Sequence, residues 1–73
     1  MKKITYVVEL VDKNRNAEII EENIEYLDCA VDLALNFARY ENNLSEHDKR
    51  KSCIEVSEID DGNWSSIRTI EFE

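Results

Sequence analysis

The chain has 73 residues, and 17 acidic against nine basic side chains give it a formal net charge of −8. A chain of this length is expected to form one domain over residues 1–73 with a thin core, because domains of this size bury only about 60% of their unfolded surface. The negative charge argues against direct binding to nucleic acids or anionic membranes, since affinity for phosphate depends on lysine and arginine.

The first two predicted elements are strands that form a hairpin. Residues 4–11, ITYVVELV, alternate between apolar and other side chains with the period of a half-buried strand. A polar loop, Asp12–Asn16, separates them from a second strand that begins at Ala17. The register predicted by the apolar pattern pairs Val11 with Ala17, Val8 with Ile20, and Ile4 with Ile24.

Residues 12–23, DKNRNAEIIEEN, carry oxygen-bearing side chains at the first, third and fifth positions, as an EF-hand calcium loop does. Ala17 stands where that loop needs glycine, and Asn23 stands where it needs a bidentate glutamate. The flanking segments also read as strands, whereas an EF-hand has helices there. We therefore interpret the polar residues as turn formers, and we expect no metal and no cofactor.

A single helix is predicted from Cys29 to about Asn42, with Asp28 as its N-cap. Its apolar positions form two adjacent stripes and cover more of the helix than one sheet can contact. Either the C-terminal segments wrap over the helix, or part of its surface is a patch that another chain covers. The residues of this patch are Cys29, Leu33, Phe37 and Tyr40. Residues 45–51 are predicted to be a surface loop.

Residues 52–73 are predicted to form a second hairpin around the two-residue turn Asp61-Gly62. The register sets Ile59 against Trp64 and leaves open which face of the hairpin is buried. Either a bulge near Ser57 or Ser66 brings the apolar residues of the two faces together, or both faces are covered. Trp64 therefore has two interpretations, cross-strand packing on Ile59 or an aromatic anchor for a protein partner. The whole order predicts an α+β fold, a small antiparallel sheet with one helix packed on a face, in the order ββαββ.

No catalytic or metal-binding constellation is apparent. Cys29, His47 and Cys53 are too few and too scattered for a zinc site. His47 is the one histidine and lies in a predicted loop, so a nucleophile has no obvious base. A single glycine excludes a glycine-rich phosphate loop. We expect a non-enzymatic protein, and the lack of an export signal favours the cytoplasm.

The acidic charge is concentrated in one part of the chain. Between Ala17 and Ala38 there are six carboxylates and no cation: Glu18, Glu21, Glu22, Glu25, Asp28 and Asp32. We expect them to form a face that binds a basic protein surface, in the strongest form as a mimic of nucleic acid. The alternative is a structural or regulatory homodimer that associates through the helix patch, with the acidity serving solubility. Lys49-Arg50-Lys51 form a short positive island.

In size and element order the chain resembles small acidic proteins of phages and mobile elements, among them anti-CRISPR inhibitors. The segments that carry the resemblance are the opening strand MKKITYVVELVD, the helix CAVDLALNFARYEN and the hairpin CIEVSEIDDGNW. The resemblance implies a host-defence or regulatory complex as the partner, contacted at a nucleic-acid-binding surface. It assigns no roles to individual residues.

Overall fold

The computed structural model describes residues 3–41 and 43–72. The strands are β1 (Ile4–Asp12), β2 (Ala17–Ile24), β3 (Ser52–Asp60) and β4 (Asn63–Glu71), and the helices are α1 (Leu27–Tyr40) and α2 (Glu46–Arg50). The strands form one antiparallel sheet in the order β2-β1-β3-β4, and α1 packs on one of its faces. The predicted α+β fold is confirmed, with the short helix α2 in addition. Neither described helix has the length and apolar character needed to cross a membrane.

The core lies between α1 and the two central strands. Three alanines at helical spacing, Ala30, Ala34 and Ala38, are buried on α1. They belong to one cluster with Val8 of β1 and with two fully buried residues of β3: Ile54 and Val56. The methyl groups of these alanines let the helix backbone approach the sheet closely, and the larger side chains of Leu33 and Phe37, which are partly buried, also pack against the cluster.

The hairpin of β1 and β2 has the predicted pairing at its turn and a shifted one at its far end. Val11 lies opposite Ala17 as predicted, but Val8 lies opposite Glu21 and Tyr6 opposite Ile24. Two register shifts in β2 cause the difference, and Asn23 near them has a positive φ of 58°. Unbroken pairing would have set Glu22 against Tyr6 on the core face, and the bulges set Ile24 there.

The hairpin of β3 and β4 turns at Asp61 and Gly62, as predicted, with φ values of 52° and 86°. Ile59 lies opposite Trp64, also as predicted. A register shift beyond Ser57 then gives Ile67 no partner and sets Ile70 opposite Ile54. Because of this bulge, the apolar residues at the end of β4 join the helix-covered face. The buried face of the hairpin is therefore the one that carries Ile54, Val56 and Ile70.

Both predicted helix boundaries and the predicted loop differ from the structure. α1 begins at Leu27, and its N-cap is Tyr26, which makes no side-chain capping bond. Asp28 therefore lies in the first turn, where a carboxylate still interacts favourably with the helix dipole. α1 ends at Tyr40, and the predicted end at Asn42 lies outside the described residues. Within residues 45–51, Ser45 caps α2 by accepting a 3.1 Å hydrogen bond from the Asp48 amide.

Because the alanines of α1 are buried against the sheet, substitutions at neighbouring helix positions are predicted to differ strongly in their effect on the free energy of unfolding. Ala34 is 0% exposed, whereas Leu35 is 46% exposed. We expect Ala34→Leu to lower the free energy of unfolding by about 1–3 kcal/mol, because the added carbons force the helix away from the sheet. The matched control Leu35→Ala should change it by less than about 0.5 kcal/mol. Urea denaturation followed by circular dichroism measures both, and equal effects would contradict this account of the core.

Candidate functional site

The six carboxylates predicted to bind a partner are all exposed. They lie on three consecutive segments, namely β2, the connection after it and the first half of α1. β2 is an edge strand that pairs only with β1, so no further strand covers it. Among the described residues, none of the six uses its side chain in a hydrogen bond or an ion pair. Their charge is therefore available to a partner.

The strand topology places further carboxylates near the end of β2. Ile4 of β1 lies opposite Asp60, and Tyr6 lies opposite Ile24, so the turn between β3 and β4 lies at the same end of the sheet as the start of α1. We call this end the acidic end and define it by five residues: Glu22, Glu25, Asp28, Asp60 and Asp61. The sequence pattern between Ala17 and Ala38 shows only part of this charge, because two of the five belong to the distant hairpin.

The predicted helix patch is only partly covered. Leu33 and Phe37 are half-buried, whereas Cys29 is exposed and Tyr40 is 68% exposed. The ring of Phe37 lies 6.1 Å from that of Phe72, so the C-terminal segment covers one side of it. On its other side the helix and β2 form an apolar depression of about 370 Å³. Its lining includes Ile20, Leu33, Phe37 and Tyr40, and Cys29 lies outside it.

Trp64 lies on the sheet face that α1 leaves uncovered, and it is 53% exposed. Its pairing with Ile59 is as predicted, while its exposure leaves most of the indole accessible to a partner. On the same face Glu9 lies directly opposite Glu55 in the two central strands. Ser66 Oγ donates a 3.3 Å hydrogen bond to Glu55 Oε1. This like-charged pair adds to the acidity, and strand alternation alone would have assigned both residues to one face.

The three residues considered for zinc are not brought together. Cys29 is on α1, His47 is on α2 and Cys53 is on β3, and both cysteines are free thiols. No cluster of three metal-ligating side chains is found within residues 3–41 and 43–72. Burial, reinforced by the charges of Glu55 and Glu71, raises the pKa of the Cys53 thiol. Cys53 therefore stays protonated at neutral pH, which does not suit a nucleophile.

In the oxygen-rich loop after β1, the carboxylate of Asp12 accepts hydrogen bonds from residues of the same loop. Asp12 Oδ1 accepts hydrogen bonds from the amides of Asn14 and Asn16, both at 2.9 Å. Asp12 Oδ2 accepts a 3.3 Å bond from the Asn16 side chain, and Arg15 has a positive φ of 66°. The spacing that resembles a calcium loop thus has the geometry of an Asx turn, as predicted.

These hydrogen bonds predict a pH effect that is centred on Asp12. The Asn16 amide in particular lowers the pKa of the Asp12 carboxyl in the folded chain, because hydrogen bonds to the ionised form favour it. The carboxylate therefore stabilises the fold above the unfolded-state pKa, and this contribution is lost as the pH falls through the folded-state pKa.

An NMR titration of the Asp12 carboxyl measures this effect. We expect a midpoint below that of a peptide spanning residues 10–18, and we expect Asn16→Ala to raise the midpoint. A midpoint at or above the peptide value would contradict the turn geometry. Micromolar calcium should leave these resonances unchanged, and movement confined to Asp12, Asn14 and Asn16 would indicate a metal site.

Comparison with known protein families, with curated proteins and with solved structures finds no match for this chain. The resemblance to anti-CRISPR inhibitors therefore stays a prediction from size and element order. Any function must be argued from the fold and from the distribution of charge.

Proposed function

We propose that the chain is a non-enzymatic, acidic protein-interaction module that binds a basic protein surface. The observation that carries this proposal is the exposure of six carboxylates on consecutive segments, with no cation between Arg15 and Arg39. Carboxylates of one sign that lie close together raise the local potential and steer a basic partner toward the surface. Such an interface associates fast and weakens as the salt concentration rises.

The acidic end supports a more specific form of the proposal. In this form the partner surface is a nucleic-acid-binding groove of a host-defence complex, and the carboxylates occupy the positions of phosphates. The chain would then act as an anti-CRISPR-like inhibitor of phage origin in the host cytoplasm. What supports this form is the agreement between the acidic end and the resemblance in size and element order. Trp64 on the uncovered face supplies an exposed aromatic side chain of the kind found at the centre of interfaces.

We call the six exposed carboxylates from Glu18 to Asp32 the acidic face, and reversal of their charge tests the proposal. The triple variant Glu21→Lys, Glu22→Lys, Glu25→Lys changes the net charge by six and lies on exposed positions. We expect it to weaken binding to a basic nucleic-acid-binding protein, recovered from host lysate at low salt, by about tenfold or more. The reason is that each lysine repels the cations that the glutamate attracted.

A matched control separates this local effect from net charge. Glu46→Lys, Asp48→Lys, Glu71→Lys makes the same change in net charge on α2 and at the end of β4, away from the acidic face. The captured partner is compared with both variants at physiological salt, which screens charges beyond about 8 Å, and we expect this control to bind within about threefold of the unmodified chain. Equal weakening by both triple variants would show that only net charge matters, and a lack of any captured partner would also contradict the proposal.

The second candidate function is a homodimer formed through the helix patch. The observation that favours it is the apolar depression between α1 and β2, since an exposed apolar patch on a small domain often marks an interface. In a dimer the second copy would cover Leu33 and Phe37, and the carboxylates would keep the assembly soluble.

Sedimentation equilibrium distinguishes the homodimer from the monomer. If the patch is the interface, Leu33→Glu should convert a dimer to a monomer, because a charge buried at the interface is strongly unfavourable. Leu35→Glu is the matched control, since Leu35 is exposed and does not line the depression. A monomer at all concentrations in the unmodified chain, or a dimer that survives Leu33→Glu, would exclude this interface.

A further inference from the structure

The end of the sheet opposite the acidic end carries clustered cations. The last paired residues of the two central strands are Asp12 of β1 and Ser52 of β3. Lys13 directly follows Asp12 in the chain and Lys51 directly precedes Ser52, so both lysines lie at this end of the sheet, outside the paired strands. Lys49 and Arg50 lie in the last turn of α2, just before Lys51. Two segments far apart in sequence thus supply four positive charges to one place.

Among the described residues, none of these four cationic side chains forms an ion pair, although the chain has 17 acidic residues. Asp12, the carboxylate directly before Lys13, already accepts three hydrogen bonds within its own turn. Like charges that line one cleft repel one another. An anion bound between them would relieve this repulsion.

The same four cations line a cleft of about 430 Å³. Among the described residues, two carboxylates, Asp12 and Glu71, also line it. The described lining therefore has a surplus of two positive charges, in a chain whose net charge is −8. The hydroxyl of Ser52 is a further hydrogen-bond donor in the lining. The volume falls within the range of small-molecule sites, about 300–1,000 Å³.

We propose that this cationic cleft binds a small phosphate-bearing ligand. Arginine matches the oxygens of a phosphoryl group with two parallel hydrogen bonds, and lysine binds them as a point charge. The surplus of two charges suits a phosphate dianion or a pyrophosphate group. A long polyanion suits the cleft poorly, because the acidic face and the acidic end would repel the rest of it. The ligand is held by side chains, so no glycine-rich loop is needed.

Titration with pyrophosphate, followed by two-dimensional NMR, tests the proposal. We expect saturable shifts of the amides of Lys13 and of residues 49–53, and no saturable shifts at the acidic end. Sodium chloride at the same ionic strength should not reproduce them. The double variant Lys49→Gln, Arg50→Gln should weaken binding by at least about tenfold, because each charge contributes a strong hydrogen bond to the anion.

The control variant is Lys3→Gln, Arg68→Gln, which removes the same charge from exposed positions outside the cleft. It should bind pyrophosphate within about threefold of the unmodified chain. The spectrum of each variant without ligand shows whether α2 is still folded. Lys13→Gln lies outside that helix and should also weaken pyrophosphate binding, which provides an independent test.

Three results would overturn the assignment. The first is an absence of saturable shifts, and the second is equal weakening by the control variant. The third is tighter binding of a single-stranded oligonucleotide or of an oligoglutamate peptide than of pyrophosphate, which would assign the cleft to a macromolecular partner. Saturable pyrophosphate binding that is lost only in the cleft variants supports the proposal that the cleft binds a small phosphate-bearing ligand.

Discussion

The close approach of α1 to the two central strands is the contact on which the rest of the structure depends. Ala30 and Ala34 are both fully buried against the sheet, and their methyl groups leave no room beneath the helix for larger side chains. Leucine and phenylalanine residues of α1 lie at other positions around the helix, where Leu33 and Phe37 pack against the core cluster while remaining partly exposed. Leu33 and Phe37 reach the border with β2, and Leu35 remains 46% exposed. The apolar depression is thus a consequence of how the core is built.

The separation of charge follows from the antiparallel topology. Each hairpin places its turn at one end of the sheet, and the two hairpins point in opposite directions. The Asp61-Gly62 turn therefore joins the start of α1 at the acidic end, while the loop after Asp12 joins α2 at the other end. Neither cluster is contiguous in sequence. An antiparallel fold with two hairpins can sort charges in this way without any charged residue entering the core.

Local sequence patterns predicted the strands, the main helix and the turns. The predictions were incomplete where the structure depends on how two distant segments pair. Alternation predicted β1, and the Asp61-Gly62 dipeptide predicted its turn, because both depend on neighbouring residues alone. The bulge near Asn23 was not predicted. The bulge at Ile67 lies beside Ser66, where one of the two alternatives from the sequence placed it, but the pattern alone did not decide between them. Both bulges set apolar residues of two strands on one face. α2 was missed, although Ser45 followed by three charged or polar helix formers is a recognisable capping signal.

The candidate sites show the same limit. The carboxylates from Glu18 to Asp32 were visible as a run in the sequence, and their exposure follows from their charge. The helix patch was visible as surplus apolar surface, but the sequence did not show that Phe72 covers one side of Phe37. The cationic cleft was visible only as the island Lys49-Arg50-Lys51. Its fourth member, Lys13, joins it through the pairing of β1 with β3, which no local pattern reveals.

The distance between the two charged ends determines how they can act together. The molecule is 44 Å long and 16 Å thick, and a nine-residue strand alone spans about 30 Å. Salt at physiological concentration screens charges beyond about 8 Å, so the cationic cleft barely weakens the attraction of the acidic end for a basic surface. A partner bound at the acidic end leaves the cleft open to solvent. The fold therefore permits simultaneous binding of a basic protein and a small anion, and any coupling between them has to pass through the packing of the central strands.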